Sequence, residues 1–120
     1  ARLLEAVHIM RALWAGEEVS HIGRIRLEKA KLYTRPENPP MLVGAAITAN
    51  TAEWVGGWAD GLLTVGRDRD AIAENIRAFR DGGGEGKPVF LQAALSWAPT
   101  QEEAEAKAFE RWPVSGLEVE

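Results

Sequence analysis

Between residues 3 and 14 the apolar side chains recur at a spacing that only a helix brings to one side. Leu3, Val7, Met10 and Trp14 fall at i, i+4, i+7 and i+11, with Leu4, Ala6, Ile9 and Leu13 beside them. The stripe predicts a helix over residues 1–16, ended by Gly16, which can take the left-handed conformation of a helix stop. The rhythm then changes. In "SHIGRIRLEKAKLYT" (20–34) apolar and charged residues alternate through Ile22, Arg24, Ile25, Arg26, Leu27 and Glu28, predicting a short irregular hairpin. "RPENPP" (35–40) follows as a stiff polar linker, because adjacent prolines exclude both helix and central strand.

From residue 41 to 112 one pattern occurs three times, an apolar run followed by a capped helix. "MLVGAAI" (41–47) is the first run, and Thr48 or Asn50 can cap the helix after it, which reaches about Trp58. "DGLLTVG" (60–66) is the second. Asp68 caps its helix, whose inner face is Ile72, Ile76 and Phe79 and whose end is a triple glycine. "PVFLQAALSW" (88–97) is the third, and Thr100 with Glu103 forms a capping box that opens a helix to about Trp112. The runs are apolar throughout and do not alternate, which marks strands covered on both faces. Such strands form a parallel sheet with helices outside, so the fold class is α/β. Right-handed crossovers leave doubly wound sheets and (β/α) barrels.

Composition narrows the function classes. Acidic and basic residues are interspersed at a net charge of −4, and no basic stripe offers itself to nucleic acid or an anionic membrane. No apolar run approaches the ~18 residues that cross a bilayer, and the N-terminus has no signal-peptide layout, so a cytoplasmic location is expected. With no cysteine, disulfides, thiol chemistry and Cys-ligated zinc are excluded. The chain enters an amphipathic helix at Ala1 without a Met, as though a segment upstream had been removed.

"DGGGEGKP" (81–88) has the look of a phosphate loop, but its chemistry disagrees. A Walker A loop would need glycine at Asp81 and a hydroxyl residue at Pro88. A dinucleotide fingerprint lies between a strand and the helix after it, whereas these glycines lie between a helix and the next strand. Carbonyls, not amides, point out of a helix C-terminus, and they repel an anion. The stretch reads as a helix stop and a tight turn.

In parallel α/β folds ligands collect at the C-terminal ends of the strands. The candidates there are Ala46, Ile47, Thr48 and Ala49 after the first run, Thr64, Val65, Gly66 and Arg67 after the second, and Ser96 and Trp97 after the third. Hydroxyls, free amides and a cation suit a phosphate-bearing tail; capping and solvation explain Thr48 and Arg67 equally simply. Gln92, the one strongly polar side chain inside an apolar run, is either a structural bond to backbone or a contact to substrate or cofactor ring. His8 reads as a solvated residue. His21 has no carboxylate at metal-ligand spacing, so no metal site is expected. Trp14, Trp54, Trp58 and Trp112 read as helix packing.

The strings "RLLEAVHIMRALWAGEEVSHIG" and "AKLYTRPENPPMLVGAAITANTAEWVGGWADGLLTVG" resemble the C-terminal part of luciferase-like flavin-dependent oxidoreductases and monooxygenases. "GGGEGKPVFLQAALSWAPTQEEA" resembles most closely the non-deazaflavin flavinoid oxidoreductases, relatives of deazaflavin-dependent glucose-6-phosphate dehydrogenases. The resemblance runs over essentially all 120 residues. It implies part of a (β/α)8 TIM barrel, comprising three parallel strand-helix units (41–112) after a helix (1–16) and a hairpin excursion (20–34), in one domain. It places the cofactor's phosphate-bearing tail near Ala46, Ile47 and Thr48 and near Thr64, Val65 and Gly66. Deazaflavin relatives tend to carry a Ser/Gly-Gly-Pro type turn where this chain has "AITAN", which points to FMN or a related flavin over deazaflavin.

A full barrel takes about 250 residues. Three strands cannot close, so two sheet edges and one apolar face stay uncovered. The ring-contacting strands of the family lie earlier in the barrel, so no catalytic residue is assigned here, and residues 1–120 alone are expected to lack catalysis and a complete cofactor site. Two alternatives stand beside this reading. One is a non-catalytic module that pairs with copies of itself as a homodimer or higher homo-oligomer; the other is a small phosphate-ligand binder using Thr48, Thr64 and Arg67.

Overall fold

The computed structural model describes residues 2–66 and 68–112. Helix α1 (Arg2–Ala15) is followed by strands β1 (Val19–Ile22) and β2 (Arg26–Ala30). Then come β3 (Val43–Ala45), α2 (Ala49–Gly56), β4 (Gly61–Val65), α3 (Arg69–Phe79), β5 (Val89–Gln92) and α4 (Gln101–Arg111). The fold is mixed α/β: β3, β4 and β5 form a parallel sheet in that order, and β1 and β2 form a separate antiparallel pair.

Local chemistry explains the boundaries. Gly16 takes φ +89°, its N–H donates to Leu13 O and the Glu17 N–H to Ala12 O, the paired bonds of a Schellman stop. Arg35 adds a cation there, donating from Nη1 to Ala15 O at 2.9 Å. Asp68 accepts from Asp70 N at 2.9 Å and Thr100 from Glu103 N at 3.3 Å, so α3 and α4 each begin on a side-chain cap. The third apolar run is strand only over its first half; the backbone of 93–98 is neither helix nor strand.

The core lies on one side of the sheet. Ala46 and Leu62 meet Ala52, Val55 and Ala59 of α2 and its exit, and Phe79 of α3, all buried, with Trp58, Ala78 and Val89 at the margin. The glycine-rich stretch lets these helices approach. After α3 the chain makes one π-helical turn, Arg80–Gly84, with Gly83 at φ +109°. A Cβ on Gly82 would overlap the Glu53 carbonyl of α2, and one on Gly56 would overlap the Phe79 carbonyl, so the two backbones touch directly. Two cations hold carbonyls at the end of α2 and in the turn after α3. Lys87 Nζ donates to Gly56 O at 2.7 Å, and Arg80 Nη1 donates to Gly84 O and Lys87 O at 2.6 Å each. No helix among the described residues is long and apolar enough to cross a membrane.

Candidate functional site at the strand ends

Parallel register decides which side chains share a face. Leu62 pairs with Val89, Leu63 with Phe90, Thr64 with Leu91 and Val65 with Gln92, while Ala45 pairs with Leu63. Side chains alternate along a strand. Leu62 and Thr64, both buried, therefore turn toward the helices along with Gly44, where a Cβ would strike Val55 of α2. Val43, Ala45, Leu63, Val65, Phe90 and Gln92 turn the other way. Among the described residues no helix covers that face, and all of these except the half-buried Leu63 are exposed.

The predicted site residues divide along this line. Ala46 and Thr64 are core residues on the helix side, and Thr64, 1% exposed, has an Oγ1 with no hydrogen-bond partner. Ile47 is exposed just beyond β3. Thr48 holds the N-cap position of α2 but caps nothing; its hydroxyl donates to Thr51 Oγ1 at 3.0 Å. The first-turn amides of α2 thus keep no side-chain acceptor, in contrast to those of α3 and α4. Val65 and Gln92 end their strands side by side, Gly66 follows in the loop, and Trp97 is exposed beyond the end of β5. Arg67 lies outside the described residues. Thr48, Val65, Gly66 and Gln92 thus share the C-terminal edge of one sheet.

Two polar clusters escaped sequence spacing. His21, without a carboxylate nearby in sequence, meets Glu5 across the fold. With the ring proton assigned to Nε2, His21 donates to Glu5 Oε1 at 2.5 Å, and the Ile25 N–H donates to the same oxygen at 3.2 Å. The Glu5 side chain is 14% exposed. The hydrogen bond from His21, then that from Ile25, hold its carboxyl below the ordinary value of 4.5. Gly23 makes room, since a Cβ there would overlap the carboxylate. At the opposite end of the sheet, Arg11 Nη2 donates to Asp60 Oδ1 at 2.7 Å and Trp58 O at 2.8 Å, and Asp60 Oδ2 accepts from Leu42 N at 2.9 Å. Those bonds tie α1 to the starts of β3 and β4. A cavity of about 430 Å³ between Trp14, Pro39, Pro40 and Met41 sits at this end, away from the strand termini. Among the described residues no group of three or more His, Asp or Glu side chains could hold a metal ion.

The sequence matches the luciferase-like monooxygenase family over residues 1–118. The chain belongs to this family. It is 32% identical over 116 residues to the F420-dependent hydroxymycolic acid dehydrogenase of Mycobacterium tuberculosis, an alignment covering 92% of this chain and 32% of that protein. It is 37% identical over 86 residues to the F420-dependent glucose-6-phosphate dehydrogenase of Nakamurella multipartita, covering 68% of this chain and 25% of that one. Among solved structures, an F420-dependent secondary alcohol dehydrogenase in complex with an F420-acetone adduct superposes with a TM-score of 0.72 at 27% identity, over 90% of this chain and 35% of that chain. The chain therefore spans about a third of the length of the first of these relatives. These relatives overturn one expectation. All three are dependent on F420, a deazaflavin, which contradicts the preference for FMN drawn from "AITAN". A single turn at residues 46–50 is too little sequence to tell one cofactor ring from another.

Proposed function

We propose that these residues form part of a (β/α)8 barrel in a deazaflavin-dependent oxidoreductase, one that passes hydride between the deazaflavin and a small organic substrate. The observation that carries the reading is the parallel sheet with helices on one face only, whose free face and C-terminal edge hold Val65 and Gln92. A barrel needs that arrangement: helices outside, strand side chains inside, ligands at the strand termini.

The residues present suit the deazaflavin. Its phosphate-bearing tail needs donors, and the α2 terminus keeps amides without a side-chain acceptor beside the hydroxyls of Thr48 and Thr51. Gly66 leaves backbone accessible on the neighbouring loop. Val65 and Gln92 would then face the ring or the substrate. Bound there, the deazaflavin supplies the hydride acceptor; this chain's residues hold its tail, orient it and keep water from one wall. Three strands enclose a minor part of such a site, so residues 1–120 by themselves are expected to turn over nothing.

Titration of deazaflavin fluorescence with the native polypeptide that carries this chain tests the reading. Saturable binding that weakens about tenfold in Thr48→Val/Thr51→Val is expected, as for loss of one or two hydrogen bonds to a charged group. Absence of binding, or indifference to the double substitution, would sink it.

A second reading rests on a separate observation. Val43, Val65 and Phe90 are exposed on the free face, and the outer edges of β3 and β5 are unpaired among the described residues. Two copies of the chain, paired face to face, would cover the free face. The phosphate-binder alternative keeps less support, since the Thr64 hydroxyl is buried on the helix side.

A further inference from the structure

The cavity at the N-terminal end of the sheet is a second place where this fold can hold a ligand. It encloses about 430 Å³ and is lined by Arg11, Trp14 and Ala15 of α1, by Pro39, Pro40 and Met41 ahead of β3, and by Asp60 ahead of β4. That volume falls in the ordinary range of small-molecule sites and suits a body of about two fused rings. The walls hold their shape before any ligand arrives. Two adjacent prolines fix φ on one side, and the bonds from Arg11 to Asp60 and Trp58 O clamp α1 to the other. The Trp14 indole offers a flat apolar face. Met41 is half exposed and can adjust to what lies against it.

The polar groups of the cavity select the chemistry. Arg11 makes both of its bonds through Nη2, at 2.7 Å to Asp60 Oδ1 and 2.8 Å to Trp58 O. Among the described residues its Nε and Nη1 hydrogens therefore remain to donate. Asp60 keeps capacity in the same way. Oδ1 accepts from Arg11 and Oδ2 from Leu42 N at 2.9 Å, where a carboxylate offers about four acceptor positions. The pair thus presents a spare donor beside a spare acceptor at zero net charge. A carboxamide complements that pattern, since its carbonyl accepts, its N–H donates and it carries no charge. A carboxylate of the same shape could still meet Arg11, but it would bring a second negative charge next to Asp60.

We propose that this cavity is a binding site for a neutral aromatic carboxamide or lactam. The ring body lies among Trp14, Pro40 and Met41, and the amide meets the Arg11–Asp60 pair. The site stands at the opposite end of the sheet from Val65 and Gln92, so it does not depend on the deazaflavin reading. A ligand there bridges helix, linker and strand start, and it should raise the thermal midpoint as it saturates.

2-Naphthamide and 2-naphthoate share one body and differ in a neutral and an anionic head. Calorimetric titration of both into the native polypeptide that carries this chain tests the site. Saturable 2-naphthamide binding is expected, about tenfold tighter than that of 2-naphthoate and unchanged by saturating deazaflavin. Met41→Trp puts a larger side chain into the cavity from an exposed position. It should weaken 2-naphthamide about tenfold or more and keep the parent's thermal midpoint. Asp60→Asn removes the competing charge, so the preference for the amide should shrink or reverse. Four results each overturn the proposal: no saturable 2-naphthamide binding, 2-naphthoate binding as tight in the parent, displacement of 2-naphthamide by deazaflavin, or affinity indifferent to Met41→Trp.

Discussion

Glu5 shows how one carboxylate can organise a segment. It accepts from His21 and from the Ile25 amide, so the turn of the β1–β2 pair is fastened to α1 through a single oxygen. Hydrogen bonds from His21 and then Ile25 lower its folded pKa below the ordinary 4.5. The contribution to stability is therefore complete above about that ordinary value. It is lost as pH falls below 4.5 and through the folded pKa. In an NMR titration the Ile25 amide resonance should hold steady from neutral pH to about 5 and move below it. In Glu5→Gln that acid transition should vanish. An Ile25 resonance with the same low-pH transition in the variant would show that another group fastens the turn.

At the scale of elements, the contact between α2 and the turn after α3 is made by backbone, and glycine is the only residue it admits. Gly82→Ala drives a methyl group into the Glu53 carbonyl and should cost about 1–3 kcal/mol, as overpacking of a close contact does. Gly86 has φ +74° with open space around it, so Gly86→Ala meets only backbone strain and should cost about 1 kcal/mol. Urea denaturation of both variants checks the order; equal losses would mean that the helix contact is looser than its geometry. At α4, Thr100→Ala removes the acceptor of the Glu103 amide and should lower helix stability by about 1 kcal/mol. Faster hydrogen exchange at Glu103, with α3 amides unchanged, is the expected sign. Capping of both helices was legible in the chain, because Asp68 and Thr100 act within three residues. The uncapped start of α2 was not: Thr48 has the residue type of a cap, and only the rotamer chosen toward Thr51 leaves the amides open.

The whole molecule poses a question of coverage. Its helices bury one face of the parallel sheet and leave the other to a partner or to further strands. If copies pair through that face, small-angle scattering at micromolar concentration and above should give a mass of twice 13.1 kDa or more. Phe90→Glu, a charge on the free face, should return it to the monomer. A monodisperse monomer in the parent would exclude self-pairing by residues 1–120.

What the sequence determined by itself was the class of fold and the sense of its parts. Continuous apolar runs alternating with helices admit a parallel sheet and little else, and the helix-before, strand-after order of "DGGGEGKP" is enough to assign it to a turn. Periodicity could not say which way each strand residue faces, because the strand positions in these runs, Gln92 apart, are apolar or small. Pairing in register decided that: it sent Thr64 into the helix layer and brought Val65 and Gln92 to the free rim. Glu5 and His21, sixteen residues apart, met only because β1 returns along α1. Short-range chemistry is written in neighbouring residues, whereas facing and long-range contact are properties of register and packing, which exist only once the chain has folded.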